Sequence, residues 1–169
     1  RAGIEQLEVS LGDVGGTLTA HHGGVLSDRD WATLLALGEQ LKVGVNLRST
    51  SSGAVAPVDD GSLGATSYSL PEFDLKLEFG AEDFTQVNFD VNRQMVRRVM
   101  ELLRPAELGS VLDLFCGIGN LSLPVARLGT PVVGVEGSSS AVSRARDNVA
   151  VNGLTEARFE VGDLADAAT

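Results

Sequence analysis

The residues best equipped for chemistry lie in 113–120, DLFCGIGN. Gly117 and Gly119 follow the apolar run 111–115 and precede a helical stretch, the setting in which glycines let the backbone approach a ligand closely. Glu136 stands 19 residues beyond Gly117, at the end of the next apolar run, where a carboxylate accepts hydrogen bonds from ribose hydroxyls. That pair places a nucleoside in the crevice. Charge then discriminates among nucleosides. The third glycine of a dinucleotide fingerprint would fall at Ser122, and Asp113 is expected at the mouth of the turn, where a pyrophosphate would arrive. Two like charges about 5 Å apart at an effective dielectric near 20 repel by roughly 3 kcal/mol, more than a hundredfold in affinity. A sulfonium and an ammonium would instead be attracted, so the reading favours S-adenosylmethionine over NAD. Asp163, beyond the third apolar run, could accept from an adenine amino group; its alternative is an ordinary turn aspartate.

The elements that must position these residues change character along the chain. Residues 1–80 are expected to form a small mixed α/β domain: a hairpin across Gly12 and Asp13, then a helix capped by Ser27 with Trp31, Leu34, Leu35 and Leu41 on its apolar side and Trp31 as a core anchor. A strand over 43–47 follows, then a loop over 49–67, the segment expected to be disordered. Phe73, Leu75, Leu77 and Phe79 alternate with polar residues as in a half-buried strand. Residues 81–169 form the second domain. Its first helix carries the stripe Val91, Met95, Val99 and Leu102 and stops at Pro105. Strands over 111–115, 131–135 and 157–161 alternate with helices over about 120–128 and from Ala141 to an Asn152-Gly153 cap, the order of a parallel, Rossmann-like sheet. Three such strands would leave an apolar edge and face uncovered, so the segment is expected to fold poorly alone.

Composition narrows the classes. The 169 residues carry 13 Lys+Arg and 23 Asp+Glu, a net charge of −10, with 43% apolar residues and one Cys. This excludes a disordered chain and a disulfide framework, and by itself argues against phosphate-backbone binding. No apolar run is long enough to span a bilayer, and a cytoplasmic monomer is expected. His21 and His22, with no cysteine or acidic cluster at ligand spacing, give no metal site. Arg93, Arg97, Arg98 and Arg104 could touch RNA phosphates or form a solvated helix face. Phe84 and Phe89 flank Gln86, where ordinary burial competes with shaping a pocket for a flipped base.

Four stretches, DFTQVNFDVNRQMV (83–96), VLDLFCGIGNLSLPVA (111–126), VVGVEGSSSAV (132–142) and NVAVNGL (148–154), closely resemble the RNA uracil-C5-methyltransferases, most of all the bacterial branch acting on large-subunit ribosomal RNA. The resemblance implies that Gln86, Phe115, Asn120, Glu136 and Asp163 contact S-adenosylmethionine, and that residues 1–80 correspond to the family's central domain. It implies methylation of uracil C5 in RNA after addition of a Cys thiolate to C6, with a base removing the C5 proton. The family's nucleophile falls in a later motif, so Cys116 reads as a packed side chain under the glycine turn and the catalytic Cys and base are expected beyond Thr169. A basic RNA-binding domain, and the cysteines that hold an iron–sulfur cluster in many members, would lie before Arg1. A transfer-RNA enzyme, an inactive RNA-binding module of the same fold and a nicotinamide-dependent oxidoreductase using the same turn remain as alternatives.

Overall fold

The computed structural model describes residues 3–58 and 66–164. The chain divides into two compact units, one built on the first four strands with Phe79–Glu82, the other on Tyr68–Glu78 with the elements from Asp83 onward.

In the first unit, β1 (Ile4–Leu11) and β2 (Gly16–His22) pair antiparallel, the hairpin its turn residues predict. Ser27 caps α1 (Asp28–Leu41): its hydroxyl accepts from the Asp30 amide while the Asp30 carboxylate accepts from the Ser27 amide, so two orphan donors are satisfied at once. β3 (Gly44–Ser49) runs parallel to β2, and Leu34 packs on Ala20, Val45 and Leu47. Trp31 is not the anchor. It is 36% exposed, Leu35 and Leu41 are exposed as well, and the buried helix residues are Leu34 and Gly38. A Cβ at residue 38 would come within 2.5 Å of Val45 Cγ2; the close approach at glycine tilts the burial toward Leu34 and away from the larger rings. The loop over 49–67 also needs correcting, since it contains β4 (Val55–Pro57), antiparallel to β3, and the start of β5 (Thr66–Leu70). The disorder expected there concerns, for 59–65, positions outside the described residues.

In the second unit β5 and β6 (Leu75–Phe79) form a two-stranded sheet. Phe73, expected in the strand, belongs instead to the 3-10 turn Pro71–Phe73, because Asp74 at φ 49° breaks the extended run. α2 (Phe89–Leu103) starts on the Asn88 cap and ends where Arg104, left-handed, precedes Pro105. Its buried face is Asn92, Val96 and Met100; the stripe expected to be buried lies outward, with Val91 58% and Leu102 67% exposed. Two apolar series wind around this helix, and the buried one is the series that contains an asparagine. β7 (Val111–Leu114), β8 (Val132–Glu136) and β9 (Ala157–Val161) are parallel in that order, linked by α3 (Ser122–Arg127) and α4 (Ser139–Val151). Val132, Gly134 and Phe159 are buried, whereas Leu112 and Leu114 on the opposite face of β7 are exposed, the uncovered apolar face expected of three such strands, since parallel sheets are ordinarily covered on both faces. No helix among the described residues is long and apolar enough to cross a membrane.

Candidate functional site

The three parallel strands end level with one another: Leu114 pairs with Val135, and Glu136 with Val161. At this carboxyl edge, where open α/β sheets bind ligands, the chain turns sharply between β7 and α3. Gly117 adopts φ +54°, with open space where a Cβ would point. Gly119, at φ +96°, serves packing, since a Cβ there would meet Leu123 and come within 3.2 Å of the Phe159 ring. The two glycines therefore divide the work: one leaves backbone accessible, the other lets the turn settle onto the sheet.

Glu136 fastens the turn to the next strand. One carboxylate oxygen accepts from the Gly117 amide at 3.1 Å and the other from the Ser138 amide at 3.0 Å. Its position is thereby fixed while lone pairs remain for hydroxyl donors. Asp163 is exposed just past β9, beside the Gly162 amide that donates to the Glu136 carbonyl. Phe115 presents its ring at the same edge, 72% exposed and at φ +59°. For a non-glycine residue that backbone conformation costs of order 1–3 kcal/mol, and it aims a flat apolar surface at the rim.

Asp113 lies beneath the turn, not at its mouth. It is in register with Gly134 and shares the buried face of the sheet, where its carboxylate accepts from the Ser122 hydroxyl. Burial pushes its carboxyl above the usual range, partly offset by Ser122. Cys116 is buried beside Gly134, whose Cβ would come within 2.8 Å of the sulfur. Its thiol is pushed up to about 12, first by burial and then by the charges of Asp113 and Glu136. Burial is the larger cause, with the two nearby carboxylates adding to it.

Asn120 is turned into the protein. Its amide oxygen accepts from the Tyr68 hydroxyl at 2.8 Å and from Asn92 Nδ2 at 3.0 Å, and its own Nδ2 donates to Asn92 Oδ1 at 2.8 Å. Tyr68 stacks on Phe89 with ring centroids 5.0 Å apart. Sequence reasoning missed Asn92 and Tyr68; a polar residue in line with Val96 and Met100 is the signal that could have exposed the first. Gln86 is exposed on the segment ahead of α2. Its flanks are held by the Asp83–Arg144 ion pair at 3.3 Å and by the Asn88 cap, while Phe84 and Val87 stand 81% and 93% exposed. The structure therefore gathers Phe115, Gly117, Gly119, Glu136 and Asp163 at one edge, with Asp113 and Asn120 as its support and Gln86 on a separate strap. A groove of about 600 Å³ lined by Pro71, Asp74, Lys76, Arg127 and Asn152 lies at the other end of α3 and α4, where one terminal nitrogen of Arg127 donates to the Asp74 and Asn152 carbonyls.

The sequence pattern of the tRNA (Uracil-5-)-methyltransferase family matches residues 26–167. The chain belongs to this family. Among its relatives, a 23S rRNA (uracil(1939)-C(5))-methyltransferase, RlmD, of Azoarcus sp. (strain BH72) is 42% identical over 165 residues, 97% of this chain and 38% of the relative. The RlmD of Stenotrophomonas maltophilia (strain K279a) is 43% identical over 161 residues, 95% and 36% of the two chains. This chain thus spans well under half the length of the curated relatives it matches. Among solved structures, the Pyrococcus abyssi tRNA (uracil-54, C5)-methyltransferase in complex with S-adenosyl-L-homocysteine superposes with a TM-score of 0.69 at 22% identity, covering 93% of this chain and 38% of that one. The fold is accordingly the Rossmann-like methyltransferase fold. The T. thermophilus 16S rRNA N2 G1207 methyltransferase (RsmC), in complex with AdoMet and guanosine, gives a TM-score of 0.51 at 28% identity over 62% of this chain and 29% of that one.

Proposed function

We propose that the β7–α3 turn binds S-adenosylmethionine and that the chain forms the donor-binding part of an enzyme methylating C5 of uracil in RNA, with large-subunit ribosomal RNA as the target. The observation that carries this reading is Glu136, a carboxylate held by two backbone amides at the end of β8 beside an accessible glycine. The bound donor would supply an electrophilic methyl group. On this reading Glu136 accepts from the ribose hydroxyls, Phe115 covers the adenine and Asp163 accepts from its amino group, while Gln86 reaches in from the strap. Asn120 holds the turn through Asn92 and Tyr68. Asp113 adds negative charge from below, which favours a sulfonium and penalises a diphosphate. The single cysteine, buried and with its thiol pushed up to about 12, is unsuited to attack uracil C6, so the thiolate that this chemistry requires comes from a residue other than Cys116.

The family's name favours transfer RNA as a second target reading, but the 40–43% identity to ribosomal-RNA enzymes weighs more. Calorimetry tests the ligand. S-adenosylhomocysteine is expected to bind, and Glu136→Gln to weaken it by roughly tenfold, the value of one charged hydrogen bond. NADH is expected not to bind. Tight NADH binding with no response to S-adenosylhomocysteine would overturn the assignment.

A further inference from the structure

Asn148 on α4 and Asn152, the residue that caps its C-terminus four positions on, are bound to the backbone of β6. Asn148 is fully buried. Its Oδ1 accepts from the Glu78 amide at 2.8 Å, and its Nδ2 donates to the Glu78 carbonyl at 3.1 Å and to the Ile118 carbonyl, inside the glycine turn, at 3.3 Å. Asn152 repeats the pattern two strand residues away: its Oδ1 accepts from the Lys76 amide at 2.9 Å, and its Nδ2 donates to the carbonyls of Lys76 and Asn148, both at 2.7 Å. The match is geometric. Four residues of helix advance about 6 Å, two residues of strand about 6.6 Å, and every second strand residue points its N–H and C=O to the same edge. Two primary amides thus stand in for two peptide groups of a missing neighbour strand. Asparagine suits the task because it offers an acceptor and two donors on a short stem.

The two sites differ in one respect: only Asn148 also reaches the turn. We propose that Asn148 is a positioning residue for the donor-binding turn, coupling its conformation to the edge of β6. The proposal rests on the function read above only for the identity of the ligand. Asn148→Asp would keep the acceptor for Glu78 but set a carboxylate against two carbonyls; Asn152→Asp makes the same change away from the turn.

The test compares the full chain with both variants, first without ligand by hydrogen exchange at Lys76, Glu78, Gly117 and Gly119, then by calorimetry with S-adenosylhomocysteine well below each melting temperature. Asn148→Asp is expected to speed exchange at Glu78, Gly117 and Gly119 together by tenfold or more and to weaken binding about tenfold. Asn152→Asp is expected to speed exchange at Lys76 while Gly117, Gly119 and the Kd stay within twofold. Should Asn148→Asp fail to fold, Asn148→Ser, which keeps one donor, is read by the same measures. Faster exchange at Glu78 with an unchanged turn overturns the coupling, as does an Asn152 variant that loosens the turn equally. If the unaltered chain binds no S-adenosylhomocysteine, the ligand assignment fails and the exchange data still decide the coupling.

Discussion

Cys116 shows how far environment overrides residue type. A cysteine inside a nucleoside-binding turn invites a catalytic role, yet this one fits under the turn between Gly134 and two carboxylates. With the thiol pushed up to about 12 by burial and the neighbouring carboxylates, it stays in the unreactive protonated form at pH 8. Iodoacetamide at pH 8 is therefore expected to leave Cys116 unmodified in the folded chain and to label it rapidly in denaturant; rapid labelling of the folded chain, followed by mass spectrometry, would show an accessible thiol. Glu136 and Asp113 make the complementary point. Both were legible as acids beside the turn, but only the structure separates them, one at the rim on two backbone amides and the other below on Ser122.

At the scale of elements, α2 gives the sharpest test of what periodicity can resolve. Val96 is fully buried and Val91 is 58% exposed, although a helical count along the sequence admits either as the core side. Val96→Ala is expected to cost about 1–3 kcal/mol through lost burial and a cavity, and Val91→Ala less than about 0.5 kcal/mol; chemical denaturation that ranks them the other way would mean the helix is rotated. The strands β7 to β9, the Ser27 cap and the turn at Gly117 were readable because each rests on local chemistry: apolar runs, a hydroxyl three residues before a carboxylate, glycines at positive φ. What stayed hidden depends on partners distant in sequence. Asn92 is buried because Asn120 completes it, Asn148 because the edge of β6 does, and β4 is a strand of three residues that only its pairing with β3 defines. Phe73 and Trp31 were misassigned for a related reason, since a left-handed Asp74 and a close approach at Gly38 override the apolar pattern.

Across the whole molecule the charge of −10 is not relieved by a free basic face on α2. Arg93, Arg97, Arg98 and Arg104 each lie within an ion pair, with Asp90, Glu72, Glu101 and Glu107 respectively, which favours the solvated-face reading over phosphate contact. Among the described residues no three His, Cys, Asp or Glu side chains gather as a metal site, and His21 and His22 are engaged by Glu8 and the Gly24 carbonyl. Two carboxylates, Asp113 and Glu136, stand beside the β7–α3 turn. The groove of about 600 Å³ between Pro71 and Asn152 lies away from that turn, so the two places can be told apart by experiment. Amide NMR of the full chain titrated with S-adenosylhomocysteine separates them: shifts are expected at Gly117, Gly119, Glu136 and Gly162, whereas shifts confined to Lys76, Arg127 and Asn152, or no saturable shifts at all, would contradict a donor site at the carboxyl edge of the sheet.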